Sequence, residues 1–543
     1  MLGYQVVARA LAQAGMLDIF GVVGVGNLHL VHELTSQLGA TYHPARHESG
    51  AVMAADAYAR VSGGFGICTV TQGPGLGNTL TALTAAARFG TRLVVITGEM
   101  PASTPKGSSQ EIDQAALVAP TGARYIRLEA GENWAARMAD ILVETHRTLT
   151  PVVIALPNDL QQKPVAPGAP VTPPAEVTPS TDVDLEAVKH AAALIADARR
   201  PLILAGRGAL APGTPGILAQ LAERTNALLG TTLLAKDLFA DNPRSVGVVG
   251  GFTRPPARAV VDGTDLVVSF GAGLNMWTTK RGALFGHAGL VQCDIDPTAI
   301  GRTVRPTAAI VGDARLAAQA LLSEFIGRAE PVREVPADVL AALAQAPDDF
   351  PVGQDGVDPR AAIVALNRIL PRQRTLVIDG GHFVGFPGTY LDIPDPGALV
   401  FTQNFGSIGL GLGAAVGAAI GRPDALCVAV LGDGGFTMAL SELETVSRLG
   451  RPMVLVIMND NGYGAEVHHM NAIGMPTALA QFPPVPFADL ARSLGLHGFT
   501  ARSLADVEAI ADTIRDLDRP LLLDVIVDPT VVADWFSERQ PKH

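Results

Sequence analysis

At 543 residues the chain exceeds what one hydrophobic core serves, so three to four domains are expected. Hydrophobic residues make up 48% of it and the mean hydropathy is +0.28, yet apolar runs such as Leu93-Val94-Val95-Ile96 fall far short of the roughly 18 residues that span a bilayer, which excludes a membrane-spanning segment. A net charge of −12 argues against a nucleic-acid partner, which would need a basic face, and Cys68, Cys293 and Cys427, isolated in apolar runs without metal spacing, read as buried thiols of a reducing cytoplasm.

The N-terminus reads as an amphipathic helix (Val6, Val7, Leu11, Ala14) and lacks the basic-then-apolar order of a signal peptide, so a cytoplasmic protein is expected. After it, strands are predicted at 66–71, 93–97 and 152–156 and helices at 50–61 and 78–87. A stretch dense in Pro, Val and Thr at 163–184 reads as a linker. Strands follow at 202–205, 266–270 and 289–294; a second break lies at 334–358; a last set falls at 375–379, 427–431, 453–458 and 521–527. Short β-branched runs alternating with Ala/Leu-rich helices predict α/β architecture with three doubly wound parallel-sheet domains, at 1–162, 185–332 and 359–532. The first and third share a plan without a readable sequence repeat.

Two motifs in the third region carry chemistry. Gly432-Asp433-Gly434-Gly435 and Asn459-Asp460-Asn461-Gly462-Tyr463-Gly464 each follow a strand directly, with the two aspartates 27 residues apart. Either motif alone is an ordinary turn. Together they place two carboxylates at the carboxyl ends of strands, where ligands of open α/β sheets bind, with glycine beside each so that a large anion can approach. Small hard cations such as Mg²⁺ are commonly held by one or two carboxylates plus phosphate oxygens.

This spacing closely resembles the diphosphate-binding motif of thiamine-diphosphate (ThDP) enzymes, in the group that holds acetolactate synthases, pyruvate decarboxylases, benzaldehyde lyases and 2-hydroxyacyl-CoA lyases. The resemblance covers nearly the whole chain and implies pyrimidine-binding, central and diphosphate-binding domains, with ThDP and Mg²⁺ as cofactors. Asp433, Asp460 and the Gly462 carbonyl would ligate the metal, with Asp460 standing where many relatives have Asn. Gly432, Gly434, Gly435, Tyr463 and Gly464 would complete the diphosphate site, and Ser407-Ile408 the cofactor set, Ile408 propping the two rings into a bent shape. His47-Glu48-Ser49-Gly50-Ala51 matches the family's His-Glu-x-x-Ala, making Glu48 the carboxylate that activates the aminopyrimidine; the alternative is a helix-start glutamate that complements the macrodipole. Thr71-Gln72-Gly73-Pro74-Gly75-Leu76-Gly77-Asn78 is not a dinucleotide fingerprint. It resembles the family's Gly-Pro-Gly loop, which brings Gly73, Gly75 and Asn78 near the cofactor of a partner subunit.

Positions that select the reaction are mixed. Val25 in Gly24-Val25-Gly26-Asn27-Leu28 stands where pyruvate decarboxylases have an acid, so Val25, Gly26 and Asn27 are substrate-pocket candidates without that relay member. Ser109-Gln110-Glu111-Ile112-Asp113 resembles the Gln-Glu-x-Asp of acetolactate synthases, which makes Gln110 a hydrogen-bond donor to substrate. Tyr463-Gly464-Ala465-Glu466 resembles the Tyr-Thr-Ile-Glu of the decarboxylases, which makes Glu466 a general acid/base; its alternative is a first-turn helix carboxylate. His468 and His469 either line the pocket or face solvent.

The function implied is formation or cleavage of a carbon–carbon bond in 2-keto acids or aldehydes, acetolactate-synthase-like, by decarboxylation and/or carboligation through a carbanion/enamine. The alternatives are a 2-hydroxyacyl-CoA lyase or oxalyl-CoA decarboxylase, for which 537–543 offers a thin basic tail, and a catalytically silent subunit. FAD or ADP in the central domain, at 205–208, 271–275 and 294–297, is open, since relatives bind either or neither. Relatives bring Glu48 and the diphosphate motif together across a subunit interface, so a homodimer or homotetramer is expected.

Overall fold

The computed structural model describes residues 1–166, 168–174, 182–328, 337–343, 350–351, 353 and 355–537. Both predicted linkers therefore lie partly outside the described residues, as does the basic tail beyond Ser537. Three six-stranded, all-parallel sheets are present, and each of the ten strands expected from apolar runs is found within a residue or two of its expected ends.

In spatial order the first sheet runs Thr41–Pro44, Asp18–Gly21, Gly66–Val70, Leu93–Glu99, Val152–Pro157, Arg124–Arg127. The third runs Leu399–Phe401, Arg374–Ile378, Leu426–Gly432, Met453–Asn459, Leu521–Ile526, His497–Ala501, so the shared plan is one strand order repeated. Numbered within each domain both are 2-1-3-4-6-5, a doubly wound order whose crossovers reverse between strands 1 and 3. The central sheet, Ala308–Val311, Gly289–Asp294, Leu266–Phe270, Pro201–Ala205, Leu228–Thr231, Ser245–Val248, has the other doubly wound order and reverses between Pro201–Ala205 and Leu266–Phe270.

Domains one and three share a core. The Glu48–Ser62 helix crosses the Gly411–Gly421 helix so closely that a Cβ on Gly413 would lie 2.8 Å from the Gly50 carbonyl oxygen, and one on Gly417 only 1.8 Å from that of Ala54. Only glycine at these positions, four residues apart on one helix face, permits the approach. Around the contact, Val52 and Ala55 from one side and Leu412 and Ala415 from the other belong to one buried cluster. Arg60, paired with buried Asp56 at 2.7 Å, reaches from the first domain to the Phe401 carbonyl of the third at 3.0 Å. Arg207 of the central domain donates to the Phe89 carbonyl at 2.5 Å, and both guanidiniums lie over the Phe89 ring, at 3.6 and 4.3 Å. The beginning of the Glu48–Ser62 helix is thereby fixed to all that follows.

Candidate active site

At the reversal point of the third sheet, between the ends of Arg374–Ile378 and Leu426–Gly432, lies a cavity of about 280 Å³. Its floor is the two-aspartate motif. Asp433 begins the Asp433–Met438 helix, is 2% exposed, and accepts the Gly462 N–H at 3.1 Å, which ties the two turns together. Asp460 follows the Met453–Asn459 strand, and a Cβ on Gly464 would fall 2.0 Å from its Oδ2, so glycine at the start of the next helix is what leaves the carboxylate in this position. The turn between is braced from the sheet: buried Asn459 donates to Asp524 at 2.8 Å and accepts the N–H of Asn461, which sits at φ 55°.

Burial, and after it the charge of Asp460, pushes the Asp433 carboxyl well above the ordinary carboxylate range; burial raises Asp460 as well. Two acids held so are an unfavourable arrangement that a divalent cation relieves. No group of three or more His, Cys, Asp or Glu that could hold a metal exists among the described residues. The donors present, two carboxylates with the Gly462 carbonyl, fit a hard cation that completes its shell with phosphate and water oxygens. The first residues of the Asp433–Met438 and Gly464–Ala472 helices line the same cavity, and amino ends of helices favour an anion. Ile408 lines it also; the neighbouring Ser407 hydroxyl is buried and has no hydrogen-bond partner among the described residues. A diphosphate ester with Mg²⁺ therefore fits the residues present.

Sequence reasoning passed over three residues here. Asp379, at the end of Arg374–Ile378, accepts from the Thr402 hydroxyl at 2.9 Å and from the backbone of Gly409 and Leu410 at 2.9 and 3.3 Å, locking the loop that presents Ile408. The Asp-Gly-Gly after a strand was a readable signal for it. His382 lines the cavity and stands edge-on to His468 with ring centroids 4.5 Å apart. Burial, then the neighbouring His468, lowers His382 to about 3, and burial lowers His468 too, so both rings are neutral at pH 7. His468 thus packs behind the cavity wall, His469 is exposed, and exposed Glu466 lies at the cavity edge with Tyr463. The third residue, Glu442, belongs to the other domain's story.

A second constellation forms at the corresponding end of the first sheet. Glu48 opens its helix, half-buried, and accepts from Asn78 Nδ2 at 2.9 Å; a Cβ on Gly75 would lie 3.5 Å from its Oε1. The backbone just before it is set by Glu442, buried in the third domain, whose Oε1 accepts the N–H groups of Arg46 and His47 at 3.1 and 2.8 Å. Gly73 (φ 64°) and exposed Gln110 (φ 68°) cross in contact. Val25 is 82% exposed at the tip of the next loop, and Gly26 is buried beneath it. Asn27 is spent on its own loop, accepting from Gly24 and donating to the Val22 carbonyl.

The two constellations do not meet within one chain. Every residue lining the cavity belongs to the third domain, from Pro359 to Val531, with neither Glu48 nor Gln110 among them. In the central domain the amide groups of Gly206 and Gly208 donate to the carbonyls of Phe270 and Gly271 at 2.9 and 3.0 Å, so the loops at its reversal point close on each other.

Comparison with known proteins agrees with this geometry. Three family models match in order: thiamine pyrophosphate enzyme N-terminal TPP binding domain at residues 1–117, central domain at 188–321, and C-terminal TPP binding domain at 379–525. The chain belongs to the thiamine pyrophosphate-dependent enzymes. Within them it is 29% identical to a probable acetolactate synthase large subunit of Methanocaldococcus jannaschii over 97% of this chain and 92% of that one. It is 29% identical to an acetolactate synthase of Arthrospira platensis (98% and 95% covered) and 26% to acetolactate synthase 2 of Zea mays (97% and 85%).

Proposed function

We propose that this ThDP enzyme acts on 2-keto acids in the manner of an acetolactate synthase, joining or releasing a carbon–carbon bond next to a carbonyl. The observation that carries the reading is the pair of buried carboxylates in a glycine-lined cavity, on a chain similar throughout its length to acetolactate synthases. When bound, the cofactor supplies a nucleophilic carbon and an electron sink for the substrate carbonyl.

Asp433, Asp460 and the Gly462 carbonyl would hold Mg²⁺ with the diphosphate, in the cavity that His382, Gly434, Gly435, Tyr463 and Gly464 line. Ile408, held up by the loop that Asp379 locks, supports the rings. Glu48 would hydrogen-bond the pyrimidine end and hold a proton there. Because Glu48 stands outside its own chain's cavity, a second copy contributes it, and the working unit is a homodimer or a tetramer of two such dimers. Gly73, Gly75 and Asn78 come with Glu48 on that face, and Gln110 with Val25 and Gly26 meets the substrate.

Glu466, at the edge of the third-domain cavity, delivers or removes a proton on the reacting fragment, which favours release of a protonated product beside carboligation. FAD or ADP in the central domain is no part of this reading. No helix among the described residues is long and apolar enough to cross a membrane. Product analysis with pyruvate, longer and aromatic 2-keto acids, aldehydes and acyl-CoAs, with ThDP and Mg²⁺, tests the reading. Turnover of 2-keto acids to CO₂ and hydroxyketone or aldehyde is expected; turnover of acyl-CoAs alone would replace it with the lyase alternative.

A further inference from the structure

Gln72 is 3% exposed, and its surroundings leave its carboxamide no freedom. A Cβ on Gly26 would lie 1.9 Å from its Oε1, and one on Gly98 2.5 Å from the same atom, so two glycine backbones box the group in. Hydrogen bonds through it run in one direction. The Gly26 N–H donates to Thr71 Oγ1 at 3.2 Å; the Thr71 hydroxyl donates to Gln72 Oε1 at 3.1 Å; Gln72 Nε2 donates to Gln110 Oε1 at 2.7 Å. In this order Thr71 Oγ1, Gln72 Oε1 and Gln110 Oε1 each accept one hydrogen bond, and the buried Gln72 carboxamide is satisfied at both ends. At its end Gln110 uses its oxygen inward and turns its NH₂ to the open face.

Gln114, 2% exposed, secures the same corner: it accepts the Gly73 N–H at 3.0 Å and donates to the Gly98 carbonyl at 3.1 Å. Gln110 itself is held at φ 68°, with its carbonyl oxygen 2.5 Å from where a Gly73 Cβ would be. An exposed side chain on such a backbone would turn freely if Gln72 did not hold it.

We propose that Gln72 is a positioning residue that fixes the carboxamide of Gln110 with its NH₂ outward, making Gln110 an obligate donor to the oxygen of a substrate carbonyl. The proposal rests on the reading above, in which this face meets the substrate. It predicts a preference for substrates whose carbonyl oxygen gains negative charge during reaction, since a hydrogen bond to a charged oxygen is worth more than one to a neutral oxygen.

The test compares Gln72→Met, Gln72→Glu, Gln110→Ala and the double variant Gln72→Met/Gln110→Ala with the wild-type enzyme, on the 2-keto acid of the panel it uses best. Uptake of ThDP with Mg²⁺ is measured calorimetrically in parallel. Gln72→Glu keeps the length and the bond from Thr71 yet cannot donate to Gln110 as a carboxylate, so it discriminates orientation from packing. Expected is a fall in kcat/KM of about 10- to 100-fold in both Gln72 variants, with ThDP uptake within about twofold of wild type and no further loss on adding Gln72→Met to Gln110→Ala. Multiplying losses in the double variant, or wild-type kcat/KM in Gln72→Glu, would overturn the proposal. A wild-type enzyme inert to every 2-keto acid refutes the activity itself, and the positioning role with it; a normal wild type beside normal Gln72 variants refutes the positioning role alone.

Discussion

Domains one and three are the same fold used for opposite purposes. Both sheets follow one strand order and reverse at the same place, so the loops after the third and fourth strands of each lie side by side at the site where such sheets bind ligands. In the first domain the third strand ends in Thr71-Gln72-Gly73, a neutral amide and hydroxyl corner. Its fourth ends in Glu99, which that domain neutralises itself through Arg127 at 2.6 Å and the Tyr125 hydroxyl at 2.8 Å. In the third domain the same two strand ends carry Asp433 and Asp460, with which no basic side chain pairs among the described residues. The difference teaches that an unneutralised carboxylate pair, and not the crevice itself, distinguishes the end proposed to hold metal and diphosphate. The amide-rich twin is suited to recognising neutral rings and carbonyls.

The largest test of that division is Glu48→Gln. If the first-domain face supplies the proton-handling carboxylate, kcat falls by roughly 10³-fold, within the span of general acid–base contributions, while calorimetric ThDP uptake persists. Activity that survives the substitution would remove the face from the chemistry. On the other side of the comparison, Asp433→Ala is expected to weaken Mg²⁺-dependent ThDP uptake by about 100-fold, some 2.7 kcal/mol, and Glu99→Ala to leave it unchanged. Equal effects at the two acids would erase the distinction between the twin strand ends.

How much of this was legible in the sequence follows from burial. The Met453–Asn459 and Leu93–Glu99 strands sit mid-sheet with almost every residue buried, and they announce themselves as unbroken apolar runs. Thr41–Pro44, Arg124–Arg127 and His497–Ala501 are edge strands, half-exposed and polar, and their residues carry little strand signal. In the site, Asp433 and Asp460 were readable because glycine and a strand flank each. Asp379 carries the same strand-then-glycine signal, but its role was not legible, nor was Glu442 at all, since their partners, the Gly409 amide 30 residues on and the His47 amide 395 residues back, are set by tertiary packing alone. Gly413 and Gly417 look like ordinary helix glycines until the Glu48–Ser62 helix is laid across them.

That contact holds the twin domains together. Gly417→Val must displace the Ala54 carbonyl, at a cost of about 1–3 kcal/mol for overpacking. The melting temperature should fall and, since the displaced helix begins with Glu48, kcat should fall further than ThDP affinity. Gly216→Val, on a central-domain helix with open space around its Cβ, should leave kcat and ThDP affinity at wild-type values. Loss of both activities alike in Gly216→Val would point to general misfolding instead of a damaged dock.

The smallest effect is a pH slope that only the third-domain end should show. Asp433, pushed up to about 8 by burial first and Asp460 second, keeps a proton in the folded apoprotein that an unfolded carboxyl, with an ordinary value near 4, has released. Stability from this source is therefore complete below about pH 4 and is lost as pH rises through about 8. His382, lowered to about 3 by burial and then by His468, acts in the opposite sense, but only below the ordinary histidine value near 6.5. Between pH 6.5 and 8.5 the carboxylates act without that opposition, so the melting temperature of the apoprotein should decline with pH across this window. Mg²⁺ with ThDP, bound to the ionised pair as proposed, should flatten the decline; Asp433→Asn, which cannot ionise, should flatten it in the apoprotein. A slope unchanged in Asp433→Asn would assign the proton to another buried acid of this domain, Asp379 or Asp524, and would leave the twin strand ends electrostatically alike.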